Sequence, residues 1–410
     1  MEQLAIRGGP KALPQPLTGG RKWGLEELRE ILDVFESGCY YRYDGRKVLA
    51  FEEAFAEAYG ARHAVASTSG TAAIHVALGM LDPEPGSEVI IGPITDLGSV
   101  VPVLYQQCIP VFADSDPHTF CMDPADIERR ITERTAAIMP VHLFGNPCDM
   151  DAIMAIAERH HLAVIEDCSQ AHYTRYQGRL CGTIGHIGAF SLQASKHMTT
   201  GEGGVTITND DAFGERGSFF QDKGWARAAW GPRAYLFLAL NYRMTELQGA
   251  VGLAQLRRLP DIVARRHANG SRLTELLAGT PGLAPQRPTP GGEISYWLYG
   301  LAVAADAPYT AQQFAEAAQA EGLPCGAGYI GKPIFLCAEA CAAHRTFGTS
   351  QLPFTLPGVA PVEYTEETCP RTGELLPRLL TLPMSEFYTD QDIESTARAL
   401  RKVAEGLATG

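Results

Sequence analysis

The stretch AFSLQASKHMTTGEGG, residues 189–204, decides how the rest of the chain is read. A strand-like apolar run ends at Ser191. Lys196 follows five residues later, and a glycine-rich turn, Gly201 to Gly204, closes the segment. Upstream lies VIEDCSQAH, residues 164–172, another apolar run that ends in a carboxylate, Asp167. A lysine amine can hold an aldehyde cofactor as a Schiff base. A buried aspartate can keep a pyridine nitrogen protonated, which makes the ring an electron sink. Lysine and aspartate in this order look like the two halves of a pyridoxal phosphate site.

A third element lies further upstream. TSGTAAIH, residues 68–75, opens a helical pattern. Glycine lets the backbone approach a phosphate, and the free N–H groups and dipole of a helix start favour the anion. Alone, Ser69-Gly70-Thr71 reads as an ordinary N-cap. Beside Lys196 and Asp167 it reads as a phosphate cradle, with Ser191 reaching the same phosphate. Gln170 is placed to hydrogen-bond the cofactor's phenolic oxygen. His197 reads as supporting structure.

Around these motifs, strand-like and helix-like runs alternate from about residue 50 to 250. Strands are expected at 88–91, 110–113, 136–139, 163–166, 188–191 and 204–208, and helices at 48–59, 72–80 and 150–160. This alternation predicts a mostly parallel sheet flanked by helices. A helical pattern from Thr245 to Leu259 is expected to end at Pro260, with another from Asp261 to Leu277. After a Pro- and Gly-rich loop at 280–292, a strand at 296–303 and helices at 310–321 and 389–406 are expected. The chain therefore divides into an N-terminal arm and large cofactor-binding domain, residues 1–255, and a smaller C-terminal α/β domain, residues 256–410.

Composition bounds the function. A length of 410 residues suits one large and one smaller domain. The formal charge of −13 disfavours nucleic acid, whose backbone needs a basic surface. No stretch has the roughly 18 to 20 apolar residues of a membrane helix. The N-terminus MEQLAIR has no apolar core of signal-peptide length, so a cytoplasmic protein is expected. The 10 cysteines form no CxxC pair, and no metal site is expected. Cys168 adjoins Asp167 but reads as core packing.

These segments resemble the DegT/DnrJ/EryC1/StrS aminotransferases, fold-type-I pyridoxal phosphate enzymes that aminate keto-sugars and keto-cyclitols. The resemblance rests on SGTAAI (69–74), PVHLFG (140–145) followed by DMD (149–151), EDCSQAH (166–172) and Gly178-Arg179. It continues through Phe190-Ser191, Lys196, GEGG (201–204), NYRMTELQ (241–248), Cys369-Pro370 and Leu382-Pro383. It implies an amino donor, L-glutamate or L-glutamine, that loads the cofactor as pyridoxamine 5′-phosphate. A nucleotide-linked keto-sugar or a keto-cyclitol then takes the amine. It also implies a homodimer with shared sites, in which Asn241 reaches the neighbouring subunit's phosphate. Low-ranking substrate contacts are His172, Tyr329 and Lys332.

Two positions depart from the family pattern. Asp96, in GPITDLG (92–98), stands where many members carry an aromatic that stacks on the cofactor ring, and a carboxylate offers no such apolar face. It is expected to touch the cofactor's edge or the substrate. Tyr173 stands where glycine is common and is expected to narrow the pocket. The loops 92–98, 219–233 and 326–339, with Lys223, Arg227, Arg233 and Lys332, are candidates for shaping the acceptor site. A dehydratase or lyase on the same scaffold is the alternative activity. Sugar 3-dehydratases of the family carry histidine at the position of Lys196, which favours transamination here. A non-catalytic regulator is disfavoured by the intact Lys196 and Asp167.

Overall fold

Short runs of Val, Ile, Phe and Ala bounded by turns build a seven-stranded sheet. The structure is a computed structural model and describes residues 2–227 and 234–409. In spatial order the strands are His63–Ser67, Gly204–Thr208, Ile187–Ser191, Ala163–Asp167, Thr135–Met139, Glu88–Ile91 and Ile109–Phe112. Gly204–Thr208 runs antiparallel to both of its neighbours. The other pairs are parallel. Strands covered on both faces read as continuous apolar runs instead of alternating ones. Glu88–Ile91 and Ile187–Ser191 are buried at every position.

The expected strands of this sheet agree with the observed ones to within a residue or so at each end. His63–Ser67 has no counterpart among them. Its five residues carry a single β-branched side chain, and its conformation comes from pairing along its whole length with Gly204–Thr208. The helix Leu25–Ser37 was also unforeseen. Only Glu27 and Val34 are buried in it, while Leu25, Leu28, Leu32 and Phe35 face outward.

Pro260 does not end a helix. Glu246–Leu277 is one continuous helix with Pro260 inside it. Proline removes one hydrogen bond and crowds the preceding turn, and the Pro260 ring itself stands on the exposed side of the helix. Packing on the other face outweighs the local penalty. Leu256, Leu259 and Val263 enter the core beneath the large sheet, and Leu273 and Leu277 enter a second core. The helix thus runs straight through residue 255, where the sequence suggests a division.

The second core lies against a four-stranded antiparallel sheet, ordered Leu283–Pro285, Leu298–Val303, Leu379–Pro383 and Gly326–Ala327. The helices Ala311–Ala320 and Asp390–Ala408 cover it. Together these elements make an α/β fold, with a mostly parallel mixed sheet and a smaller C-terminal α/β part. Among the described residues, no helix is long and apolar enough to cross a membrane.

Candidate active site

Ala163–Asp167 and Ile187–Ser191 are parallel neighbours, so Asp167 and Ser191 leave the sheet at the same edge. Ligands of α/β sheets bind outside the carboxyl ends of strands. A cavity of about 370 Å³ opens there, and Ser69, Gly70, Thr71, Asp96, Asp167, Gln170, Ser191, Lys196 and Tyr329 all line it. Residues from separated parts of the chain thus converge on one space.

At one end the helix Gly70–Leu81 starts, with the Ser69 side chain accepting from the Ala72 N–H as N-cap. A Cβ on Gly70 would come within 2.7 Å of the Ser191 Cβ. Only glycine lets the helix start come this close to the strand end. Ser69, Thr71 and Ser191, each with a hydroxyl, then line the cavity together with this helix start, and such groups are how proteins hold a phosphate.

At the other end Asp167 is 2% exposed. Its Oδ2 accepts from the Ser99 hydroxyl at 2.6 Å and its Oδ1 from the Ser169 N–H at 3.0 Å. Thr95 Oγ1 and Ser99 Oγ lie 2.7 Å apart and extend the network. Gln170 Oε1 accepts from the Phe144 N–H at 2.9 Å, and its Nε2 donates to the Tyr329 hydroxyl at 3.3 Å. This orients the Gln170 amide with its donor end toward Tyr329, and Phe144 supports the Tyr329 ring edge-on.

Lys196 extends from the turn after Ser191. Its Nζ lies 3.8 Å from the centre of the Trp297 ring. Burial pulls its ammonium down to about 8, against the opposing pull of Asp167 and Asp96. At pH 7 roughly a tenth of such an amine is uncharged, and the uncharged form is the nucleophile and base. Ser99 and Trp297, which complete these contacts, were not singled out from sequence. Ser99 directly follows the 92–98 loop and lies outside it. Trp297 lies a hundred residues beyond Lys196, and nothing local points to it.

Several expected residues do not line the cavity of this chain. His172 is fully buried behind the wall: its Nε2–H donates to the Ser191 carbonyl at 2.8 Å and its Nδ1 faces the Tyr59 hydroxyl at 3.4 Å. Burial holds its imidazole down to about 4, so it supports Ser191 as a neutral group, and it does not line the cavity. Tyr173 does not narrow the cavity, because its ring packs edge-on against Tyr59 and its hydroxyl donates to the Ala58 carbonyl. Lys332 and Asn241 are exposed and outside the cavity of this chain. Lys223 and Arg227 each pair with the buried Asp222 at 2.7 Å, and Arg243 pairs with it in a shorter contact. Arg233 lies outside the described residues. Cys168 is in the core, where burial raises its thiol well above the usual range.

The residues present fit pyridoxal 5′-phosphate. The cradle at Gly70 would be filled by a Cβ, the Asp167 carboxylate sits buried across the cavity, and a partly neutral lysine stands between.

Known proteins resemble this chain in sequence and fold. GDP-perosamine synthase from Caulobacter vibrioides is 34% identical over 363 residues, 88% of this chain and 90% of that protein. L-glutamine:2-deoxy-scyllo-inosose aminotransferase from Micromonospora echinospora is 34% identical over 420 residues, covering 98% of each. An aminotransferase structure from Psychrobacter cryohalolentis superposes with a TM-score of 0.83 at 31% identity, over 96% of this chain and 100% of that one. The fold is that of the fold-type-I pyridoxal phosphate-dependent aminotransferases. The model of the DegT/DnrJ/EryC1/StrS aminotransferase family matches residues 22–401, and the chain belongs to that family.

Proposed function

We propose that this aminotransferase cycles between pyridoxal and pyridoxamine 5′-phosphate. It takes an amino group from L-glutamate or L-glutamine and gives it to a nucleotide-linked keto-sugar or a keto-cyclitol. The product is an amino sugar or aminocyclitol for a natural product or surface glycan. The observation that carries this reading is the meeting of Lys196, Asp167 and the Ser69–Thr71 helix start on one cavity. The names of the relatives support the substrate class. A screen of amino donors against keto-sugars and keto-cyclitols, following release of the α-keto acid, tests it. Failure of every keto-sugar and keto-cyclitol to sustain keto-acid release beyond a single turnover would sink the substrate assignment.

When bound, pyridoxal phosphate supplies the aldehyde that receives the donor's nitrogen and the ring that takes up the electron pair freed at its α-carbon. In this reading Lys196 Nζ would hold that aldehyde at rest and, once released, would carry the proton from the donor's α-carbon to the cofactor's carbon. Asp167 holds a proton on the pyridine nitrogen, and Ser99 and Ser169 fix the carboxylate that does so. Ser69, Thr71 and Ser191 anchor the phosphate, and the Gln170 amide donates to the ring oxygen. Residues 1–255 carry these groups, and 256–410 add Trp297 and Tyr329 to the acceptor side.

The reading includes a homodimer. Leu25, Leu28, Leu32 and Phe35 form one exposed helical stripe, and Leu236, Leu238 and Leu240 stand exposed beside Asn241. Apolar faces of this kind favour a second protein surface. Asn241 then reaches the partner's phosphate. Mixing two inactive variants, Lys196→Ala and Asn241→Lys, should restore activity. A mixed dimer holds one site with both defects and one with neither, so up to about a quarter of wild-type activity is expected if subunits exchange at random and sites act independently. Proven exchange without recovery would refute the shared site.

Asp96 is proposed to touch the acceptor or the cofactor's edge. Its carboxylate lines the cavity and accepts from the Gly98 N–H at 2.8 Å. If it binds the acceptor, Asp96→Ala should raise the acceptor's KM about tenfold, the loss of one charged hydrogen bond. A single turnover with donor alone should change little. Equal damage to both halves would place Asp96 on the cofactor, and no effect on either would remove it from the site.

A further inference from the structure

The turn that carries Lys196 lies between strands, so its backbone groups need partners from elsewhere. Three successive carbonyls are taken by side chains. Lys22 Nζ donates to the Ala194 carbonyl at 3.1 Å and also to that of Lys196, in a shorter contact. Between them, the Ser195 carbonyl accepts from Trp297 Nε1 at 3.1 Å. Lys22 belongs to the arm that precedes the helix Leu25–Ser37, far from Lys196 in sequence.

The arm is itself fastened. The Lys22 carbonyl accepts from Gln255 Nε2 at 2.8 Å and Arg258 Nη2 at 2.9 Å, both on the long helix. Trp23 Nε1 donates to the Thr199 carbonyl at 3.1 Å, and Gln255 Oε1 accepts from the Thr199 N–H at 3.1 Å. The Lys22 ammonium is held near the cations Arg266 and Lys196, and burial pulls it down to about 8. A lysine on a solvated surface would feel none of this, and its flexible stem loses rotamer freedom here. The compensation lies in the two carbonyls it satisfies.

We propose that Lys22 is a positioning residue for Lys196: by taking the carbonyls on either side of Ser195, it fixes the turn from which the Lys196 side chain enters the cavity. The proposal rests on the reading of Lys196 as the lysine that holds the cofactor. It makes the N-terminal arm part of the machinery that aims the amine, although no atom of Lys22 lines the cavity.

The test compares Lys22→Met, which keeps the stem and removes the donor, with Lys22→Arg, which keeps donors. Hydrogen exchange is followed at residues 193–200, in protein both freed of cofactor and reloaded. In Lys22→Met it should quicken about tenfold, with the strand Ile187–Ser191 unchanged. The single-turnover rate with L-glutamate or L-glutamine, whichever the wild type uses, should fall about tenfold, with its half-saturation within about twofold. Lys22→Arg should restore most of both. Unchanged exchange at 193–200 in Lys22→Met overturns the proposal, and so does faster exchange with an unchanged rate. If Lys22→Met does not accumulate, Lys22→Gln, with a shorter reach, replaces it under the same criteria. Borohydride reduction and peptide mapping report separately on Lys196. Label on another lysine defeats that reading, while exchange in the cofactor-free protein still decides whether Lys22 holds the turn.

Discussion

Lys196→Ala should lower steady-state turnover by about 10⁴-fold or more. Two functions are lost together, the amine that holds the aldehyde and the base that moves the proton. The fold should survive, because Lys196 Nζ rests against the Trp297 ring within the cavity and the turn is held through backbone carbonyls. The phosphate cradle at Ser69 to Thr71 and the Asp167 carboxylate stay in place, so the variant should still bind the cofactor without a covalent link. Dialysis against buffer should strip cofactor from it faster than from the wild type. Multiple turnover near the wild-type rate would overturn the assignment.

Asp167→Asn should cost about a hundredfold or more in the donor half-reaction. Asparagine has the shape of aspartate but no charge to keep the pyridine nitrogen protonated. Its surroundings can adapt: the Ser99 hydroxyl, now paired with Asp167 Oδ2, can turn toward Thr95 Oγ1 and accept from the new amide. The Ser169 N–H keeps an oxygen acceptor. Thermal unfolding should therefore shift by only a few degrees, the scale of about 1 kcal/mol. The measurement is a rapid-mixing single turnover with donor, beside a melting curve. A rate within a factor of three of wild type would mean that another group supplies the charge.

The parts of the site legible in sequence are those where one short segment carries both a strand end and its functional side chain. Asp167 and Ser191 were readable because each stands at the C-terminal end of a mostly apolar, doubly buried strand, the edge of the sheet where ligands bind. Lys196 was readable from its spacing to Ser191. Groups that reach the cavity from distant segments were not. Trp297 approaches from the start of a strand in the smaller sheet, and Ser99 gains meaning only beside Asp167. His172 misled because its place in the Asp167 motif suggested the cavity, whereas the turn after Gln170 points the ring back toward Tyr59 and Phe190. In the fold, Pro260 reads locally as a helix end, but the apolar stripe that continues on both sides of it carries the helix through. The strand His63–Ser67 was missed because pairing, and not composition, makes it a strand.

That edge strand has a bearing on how the protein is made. His63–Ser67 pairs with Gly204–Thr208 and stands at the end of the sheet, so its ladder must wait for a segment translated well over a hundred residues later. Contacts of such sequence separation form late and slowly. On a nascent chain the helix start at Gly70 exists before Ser191 arrives to complete the cradle. Vitamin B6 can therefore stabilise only chains whose sheet is finished, and its effect follows mass action on that completed state. Cells short of the vitamin should accumulate less of this protein, through loss of finished molecules to proteolysis and with synthesis itself unchanged.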